Sequence, residues 1–319
     1  MKLISEPNKQ NIIDAHNRIK MFVHKTPILT SQSINKISGA NIYFKCENFQ
    51  KVGAFKFRGA TNAVLSLTEK ELSAGVATHS SGNHAAALAL AAQLNNSDAY
   101  IVMPSNAPKI KIAAVKGYGG KITFCEPTLQ AREETLNRIT KETGATFIHP
   151  YDNYSVIAGQ ATCAKEIIEE IDELDYIISP VGGGGLLSGT ALSANYFGDN
   201  ISVIAAEPSG ADDAFRSFND NKLYPSVNPK TIADGLLTSL SEKTFTIIKK
   251  HVSQIITVTD SEIINAMRLI WERIKIIVEP SSAVTLAVIL KHKNMFSGKN
   301  IALIISGGNV DLENLPFTI

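Results

Sequence analysis

Four short segments of this 319-residue chain combine reactive or glycine-rich residues with apolar neighbours. They are QKVGAFKFRG (50–59), HSSGNH (79–84), PVGGGGLLSG (180–189) and ISGGNVD (305–311). Each lies close to a point where a strand-like apolar run passes into a helix-like segment. In open α/β sheets, ligands bind beyond the carboxyl ends of the strands, so we expect the chemistry at these four junctions.

Lys56 lies among Ala54, Phe55 and Phe57 rather than on a charged face. A lysine with apolar neighbours can have a lowered pKa, which imine chemistry requires. The same pattern also suits a lysine whose stem lies on the surface while its ammonium group stays in water. From this segment alone, the surface interpretation is favoured.

Four consecutive glycines, Gly182–Gly185, lie between a predicted buried strand and an apolar helix. A flexible linker would have polar flanks, so this segment is not a linker. Unshielded backbone N–H groups at the start of a helix bind phosphate, which is the interpretation that we favour. The spacing of Gly183, Gly185 and Gly189, followed by Glu207, also resembles a dinucleotide-binding fingerprint, which would leave the lysine and HSSGNH unexplained.

The HSSGNH segment joins a short predicted strand to an alanine-rich helix. Ser80, Ser81 and Asn83 surround Gly82 and offer two hydroxyls, an amide and free backbone N–H groups where that helix begins. Such an arrangement suits a carboxylate. Because Ser and Asn are also the usual helix N-caps, the segment alone leaves both interpretations open.

Two further segments have both a functional and an ordinary interpretation. In ISGGNVD, Ser306 could reach a bound ring, or the segment could be a plain turn. In EPSGADDA (207–214), Glu207, Asp213 and a backbone carbonyl between them could bind Mg²⁺ or Ca²⁺, but a solvated turn before a helix suits the same residues. The seven histidines show no HxxxH or HxH spacing, which argues against zinc.

Strand-like and helix-like segments alternate along the whole chain. Short Val- and Ile-rich runs between helices predict parallel strands buried on both faces, and therefore an α/β protein with right-handed crossovers. No polar linker divides the chain, so one domain could be inserted in another. The predicted strands are 41–46, 75–79, 99–103, 121–125, 175–181, 201–207, 254–258 and 300–306, and the predicted helices include 60–67, 84–94, 108–115, 128–143 and 186–196.

Composition and charge exclude several function classes. The 31 basic and 30 acidic side chains leave a net charge of +1, which gives no electrostatic basis for binding nucleic acid or an anionic membrane. No run of about 18 apolar residues predicts a membrane span. The polar N-terminus lacks a signal-peptide core, and three separated cysteines suit a reducing compartment, so the cytoplasm is the expected location.

Taken together, these segments resemble the fold-type II pyridoxal phosphate (PLP) enzymes, which are tryptophan synthase β-like, and specifically the serine racemase and serine/threonine dehydratase branch. FKCENFQKVGAFKFRGA, THSSGNH, PVGGGG, EPSGADD, ADGL, ERIKIIVEPSSA and SGGNVD occur in the family's order and spacing, across nearly the whole chain. The resemblance implies two open parallel-sheet domains, with a small one (75–147) inserted in a large PLP-binding one (1–74 and 148–319). It also implies a homodimer.

The resemblance implies a role for each matching residue. Lys56 matches the lysine that binds PLP as a Schiff base and acts as the base on one face of the substrate. Ser81 matches the proton donor and acceptor on the opposite face, and Arg132 a cleft arginine that could pair with a distal carboxylate. The other matching cofactor contacts are Phe55, Asn83, Gly182, Gly183, Gly184, Gly185, Leu186 and Ser306. The matching substrate-carboxylate loop is Ser80, Ser81, Gly82, Asn83 and His84, and the matching site for Mg²⁺ (or Ca²⁺ or Mn²⁺) is Glu207, the Ala211 carbonyl and Asp213.

The activity implied by the resemblance is that of a PLP-dependent serine racemase that also dehydrates serine and threonine, as an ammonia-lyase. The alternative is a dehydratase of threo-3-hydroxyaspartate or L-threonine without significant racemisation. Tyr151 is closer to dehydratase-type members, because animal serine racemases have Asn there. Ala86 replaces a glutamine associated with nucleotide activation in the animal enzymes, so stimulation by ATP is not expected.

Two other function classes remain open. A β-replacement synthase of the same fold is less favoured, because that branch usually has TSGNTG and GTGGT where this chain has SSGNH and GGGG. A non-catalytic nucleotide-binding or regulatory protein on a Rossmann-like sheet would account for the glycines but not for the lysine segment.

The role assigned to Ser81 generates a prediction. We expect Ser81→Ala to abolish serine racemisation and to retain much of the elimination, because Lys56 still removes the α-proton while no group returns one on the other face. Chiral chromatography and a keto-acid assay on the same samples measure the two reactions. Equal loss of both in a folded, PLP-loaded variant would contradict the assignment.

Overall fold

The computed structural model describes residues 2–80 and 82–317, which form two sheets flanked by helices. The strands are β1 (Ile28–Thr30), β2 (Asn41–Cys46), β3 (Val76–His79), β4 (Ala99–Pro104), β5 (Lys121–Cys125), β6 (Thr146–Phe147), β7 (Tyr176–Pro180), β8 (Ser202–Pro208), β9 (Gln254–Val258) and β10 (Asn300–Ile305). The helices are α1 (Lys9–Ile19), α2 (Gln32–Ser38), α3 (Lys56–Val64), α4 (Glu69–Ala74), α5 (Asn83–Gln93), α6 (Lys109–Gly117), α7 (Leu129–Thr143), α8 (Tyr154–Glu170), α9 (Gly185–Phe197), α10 (Asp213–Asp220), α11 (Glu242–His251), α12 (Asp260–Arg273), α13 (Pro280–Lys291) and α14 (Lys293–Phe296).

The larger sheet has six strands in the order β1-β2-β10-β7-β8-β9, and the smaller has four in the order β5-β4-β3-β6. All neighbours are parallel except β1 and β2, so the predicted α/β class is confirmed. The sequence did not predict β1 and β6, because runs of three and two residues show no period. The smaller sheet lies within 76–147, while the exact division into 75–147 and the remainder stays a prediction.

The larger sheet is buried on both faces, which explains the unbroken apolar runs in its strands. Ile178 and Leu303 belong to a core cluster on one face that includes residues of α13. Ile177 and Ile304, which are adjacent to these residues in the same strands, belong to a cluster with α8 on the other face. Of the residues described, no helix has both the length and the hydropathy that crossing a membrane would require.

Helix α8 packs between α3 and α9 at very short range. A Cβ on Gly159 would lie 2.7 Å from the Cα of Gly59, and one on Gly189 would lie 2.6 Å from the backbone nitrogen of Ala161. These contacts are possible only without side chains at the crossings. Because α3 begins at Lys56 and α9 follows the glycine loop, the packing holds both segments beside one cleft.

Candidate active site

A cavity of about 600 Å³ lies between the two sheets, and all four segments singled out in the sequence contribute to its walls. Ser81 lies outside the described residues. Glu207, Ala211 and Asp213 are not part of the lining. The predicted residues that do line the cavity are Phe55, Lys56, Ser80, Gly82, Asn83, His84, Arg132, Gly182, Gly183, Gly184, Gly185, Leu186 and Ser306.

Lys56 is the first residue of α3, four positions before the predicted start of that helix. Its Nζ donates a hydrogen bond to the carbonyl of Pro150 (3.2 Å) and lies 5.1 Å from the centre of the Phe55 ring. Burial lowers the pKa of the Lys56 amine to about 8, against the opposing charge of Glu279. The amine is therefore easier to deprotonate than an ordinary lysine, as a nucleophile or base requires.

The glycine loop needs its glycines for separate reasons. Gly184 has a φ of +84° at the N-cap of α9, where no side chain caps the helix. A Cβ on Gly183 would overlap the ring of Tyr151, and one on Gly182 would lie 2.9 Å from the Cα of Leu236. The loop is thus enclosed by neighbours, while the uncapped start of α9 leaves backbone N–H groups available to an anion.

Asn83 begins α5 and links this helix to Glu279, which also lines the cavity. Its Nδ2 donates to both carboxylate oxygens of Glu279 (3.1 and 3.2 Å), and its Oδ1 accepts from Asn309 (2.9 Å). Burial raises the pKa of the Glu279 carboxyl to about 7, with Asp234 adding to the effect. No side chain caps α5, so the N-cap interpretation of Ser80 and Asn83 does not apply among the described residues.

Ser306 directly follows β10 and is almost wholly buried in the cavity wall. Its carbonyl accepts from the backbone N–H of Phe55 (2.9 Å), which joins this segment to the lysine segment. Its Oγ lies 3.1 Å from the Oγ of Ser282, whose hydroxyl also bonds the Gly307 carbonyl at 2.7 Å. Ser306 therefore presents a neutral hydroxyl to the cavity at a fixed position.

Comparison with known proteins assigns this arrangement to a family. Residues 19–307 match the family described as "Pyridoxal-phosphate dependent enzyme". The chain belongs to this family. Membership implies PLP as the cofactor and excludes the alternative of a non-catalytic nucleotide-binding protein.

Relatives and solved structures support this PLP enzyme assignment over nearly the whole chain. A β-hydroxyaspartate dehydratase from Paracoccus denitrificans is 51% identical, covering 98% of this chain and 99% of the relative. A serine racemase from Dictyostelium discoideum is also 51% identical, over 96% of each. The crystal structure of Dictyostelium discoideum serine racemase superposes with a TM-score of 0.92 at 50% identity, covering 96% of this chain and 99% of that one. The predicted fold-type II architecture is confirmed.

The cavity of this PLP enzyme fits the cofactor. The uncapped start of α9 would hold the phosphate, and the deprotonatable amine of Lys56 would hold the aldehyde carbon. Ser306 would face the ring nitrogen with a neutral hydroxyl, and Asn83 the ring's 3′ oxygen. These roles stay predictions, now supported by the placement of all four residues in one cavity.

Arg132 lies at the cavity wall and also makes a contact within its own helix. It lines the cavity from α7, as the resemblance implies. Its Nε also donates to the carbonyl of Thr128 one turn earlier (3.3 Å), as an ordinary helical arginine would. The pKa of His79, which also lines the cavity, is lowered mainly by burial and further by the positive charge of Arg132.

Glu207, near the end of β8, accepts hydrogen bonds from the start of α10. Both carboxylate oxygens of Glu207 accept backbone N–H groups at the start of this helix, from Ala214 and Phe215 (2.8 Å each). Asp213 has a buried Oδ2 without a partner, and burial raises its pKa to about 6. Across the described chain, no group of three or more His, Cys, Asp or Glu is arranged to hold a metal. The cation site through Glu207, Ala211 and Asp213 stays a prediction.

Sequence reasoning missed three residues that organise the site: Glu279, Asn309 and Ser282. Glu279 precedes Pro280 at the start of α13, where an acid is an ordinary helix-start signal. Asn309 lies in the ISGGNVD segment, in which only the serine was singled out. The repeated occurrence of polar residues beside glycines at strand ends is the signal that could have found Asn309. Ser282 lies inside α13, where no such signal marks it.

The contact between Gly183 and Tyr151 generates a prediction. We expect Gly183→Ala to weaken PLP binding by about 10- to 100-fold, because overpacking of this kind costs ~1–3 kcal/mol and must displace the ring or the loop. Fluorescence titration of the apoenzyme with PLP measures the affinity. Removing the obstructing ring in the double variant Gly183→Ala/Tyr151→Ala should recover most of the loss.

Gly117→Ala is a matched control, because a Cβ there meets nothing within 4 Å and its φ is ordinary. This variant should bind PLP as the unmodified protein does. If Gly183→Ala binds PLP normally, or if the double variant is no better than the single one, the Tyr151 contact does not constrain the loop.

Proposed function

We propose that this chain is a PLP-dependent amino-acid racemase and ammonia-lyase that racemises serine and dehydrates serine and threonine. The second candidate is a dehydratase of threo-3-hydroxyaspartate or L-threonine without significant racemisation. The observation that carries the proposal is identity of about 50% over nearly the full length with both a serine racemase and a β-hydroxyaspartate dehydratase. None of the relatives named above is a β-replacement synthase.

Lys56 is the group that we assign to proton transfer on one face. When bound, PLP withdraws electrons from the α-carbon of an attached amino acid. The lowered pKa of Lys56 lets its amine accept the α-proton near neutral pH. The Pro150 carbonyl and the Phe55 ring restrict where this amine lies.

The remaining residues bind and orient the substrate. Backbone N–H groups at the uncapped start of α5 would hold its carboxylate, aided by the helix dipole. The neutral hydroxyl of Ser306 cannot hold a proton on the ring nitrogen as a carboxylate would. Electrons thus stay closer to the substrate carbons, which favours departure of a β-hydroxyl. Return of a proton by Ser81, whose role rests on the resemblance, would instead invert the centre.

Arg132 is the feature that favours the second candidate. Its guanidinium lines the same cavity and could pair with the distal carboxylate of 3-hydroxyaspartate, which serine lacks. The dehydratase from Paracoccus denitrificans, at 51% identity, gives the same indication.

Three further properties are proposed from the resemblance. They are a divalent cation, Mg²⁺ or else Ca²⁺ or Mn²⁺, at Glu207, the Ala211 carbonyl and Asp213, assembly as a homodimer, and a cytoplasmic location. Titration of the metal-free protein with Mg²⁺ and light scattering of the purified protein test the first two.

A substrate panel tests the proposed function. Purified protein is given D- and L-serine, L-threonine and the 3-hydroxyaspartate isomers, with and without Mg²⁺, and scored for keto acid and enantiomer. We expect serine inversion together with keto acid from serine and threonine. Keto acid from hydroxyaspartate or threonine without inversion supports the second candidate. Formation of neither product from any substrate rejects both candidates.

Lys56→Ala should lose both activities and the near-visible absorption of bound PLP.

Arg132→Gln separates the substrate classes. We expect the KM for threo-3-hydroxyaspartate to rise by about 10- to 100-fold, the worth of a charged hydrogen bond, while the KM for serine changes little. Arg138→Gln is the matched control on the same helix, because its guanidinium contacts the exposed Glu142 outside the cavity. Equal changes for both substrates would show that Arg132 does not recognise a distal carboxylate.

A further inference from the structure

The helix that carries Lys56 begins without a cap. Its N-cap residue is Phe55, which is itself in helical conformation and makes no side-chain capping bond. The first turn of a helix is where helices fray, and here the backbone N–H groups of Phe57 and Arg58 reach only the nearby carbonyls of Ala54 and Phe55 (3.4 and 3.0 Å). Lys56 is the first residue of that turn, so contacts from other parts of the chain must hold it in place.

Besides the Lys56–Pro150 bond and the packing of Gly59 on Gly159, two polar contacts from other elements reach this first turn. The backbone N–H of Gly59 donates to the side-chain carbonyl of Gln160 on α8 (3.1 Å). The second is the side chain of Arg58, two residues after Lys56, which is fully buried. Both contacts therefore act within one turn of the lysine.

Arg58 lies at the centre of a buried group of four charges, the Arg58 quartet, which also contains Lys45, Glu47 and Glu166. Its guanidinium donates to both oxygens of Glu47 (2.7 and 2.8 Å) and to both oxygens of Glu166 (2.7 and 2.8 Å). Lys45 donates to Glu166 (2.8 Å), and Thr162 lies 3.2 Å from Arg58 Nη1. Two cations and two carboxylates balance, and all four side chains are at most 4% exposed.

Stability alone does not account for such a quartet. Burying ions costs desolvation energy, and well-packed apolar residues would stabilise the same space as well or better. A planar guanidinium bound by two carboxylates does supply geometry, because each bidentate pair fixes both plane and direction. Glu47 follows β2 and Glu166 lies on α8, so the quartet fixes the first turn of α3 against two other elements.

We propose that Arg58, held by Glu47 and Glu166, is a positioning residue that anchors the first turn of this uncapped helix and fixes Lys56 at the cavity wall. Arg58 lies outside the cavity lining, so it acts through the backbone of α3. The measurement of kcat that tests this proposal rests on the proposed function, whereas the measurement of backbone hydrogen exchange does not.

Arg58→Lys tests the proposal, because it keeps the charge and removes the planar fork. We expect kcat for the substrate that the unmodified enzyme converts to fall by about 10- to 100-fold, as misplacement of a reacting group does, with KM within about twofold. Hydrogen–deuterium exchange of the peptide covering residues 54–62 should become faster in the apoenzyme and the PLP-loaded enzyme alike.

Phe296→Leu is the control for general destabilisation. Phe296 is fully buried in α14, which precedes β10 and lies at the end of that strand away from Ser306. It should lower the melting temperature without changing kcat or exchange at 54–62. If Arg58→Lys leaves both readouts unchanged, or changes them no more than Phe296→Leu does, the quartet is only structural and the proposal is wrong.

Thr162→Val decides the question if Arg58→Lys does not fold. It removes one neutral contact to Arg58 and leaves the four carboxylate contacts in place. We expect a smaller loss of kcat and faster exchange at 54–62, and no change in either would overturn the proposal. An unmodified enzyme inactive on the whole substrate panel would reject the proposed function, while the exchange measurement would still test the quartet.

Discussion

The close packing of α8 against α3 and α9 is the constraint on which the site depends. Gly59 meets Gly159 on one side of α8, and Gly189 meets Ala161 on the other. A Cβ on Gly159 or Gly189 would lie 2.7 or 2.6 Å from the facing backbone, so side chains at these crossings would push the outer helices away. The lysine at the start of α3 and the glycine loop at the start of α9 would then separate. Small residues in the middle of three helices thus set the distance between two segments of the cavity.

Three helices begin at the wall of the cavity and contribute to its electrostatic character. Lys56, Asn83 and Gly185 are the first residues of α3, α5 and α9, and all three line it. Helix N-termini attract anions, and here α5 and α9 leave their N–H groups without side-chain caps. A phosphate and a carboxylate would therefore find separate uncapped helix starts within one cleft. The buried carboxyl of Glu279 opposes this positive field near Lys56.

Hydrophobic periodicity and glycine runs predicted the strands and helices whose formation depends on the local sequence. The strand and helix around the glycine loop were predicted at 175–181 and 186–196 and occur at Tyr176–Pro180 and Gly185–Phe197. The start of α3 was misplaced, because no capping residue marks it. Glu279 and Asn309 escaped notice, because their partner Asn83 is 196 and 226 residues away in the chain. Contacts of that range leave no periodic trace, so only the folded chain reveals them.

Racemisation and dehydration share their first step, so the groups that hold PLP and remove the α-proton serve both reactions equally. What separates the reactions, and the substrates, must act at the substrate's side chain or on its opposite face. His79 and His149 line the cavity beside Arg132. Burial lowers the pKa of His79 and lowers that of His149 to about 4, which leaves both rings neutral near pH 7. Arg132 then remains as a permanent cation on a wall of neutral rings. A distal carboxylate would meet this charge directly, whereas the hydroxymethyl group of serine would not need it.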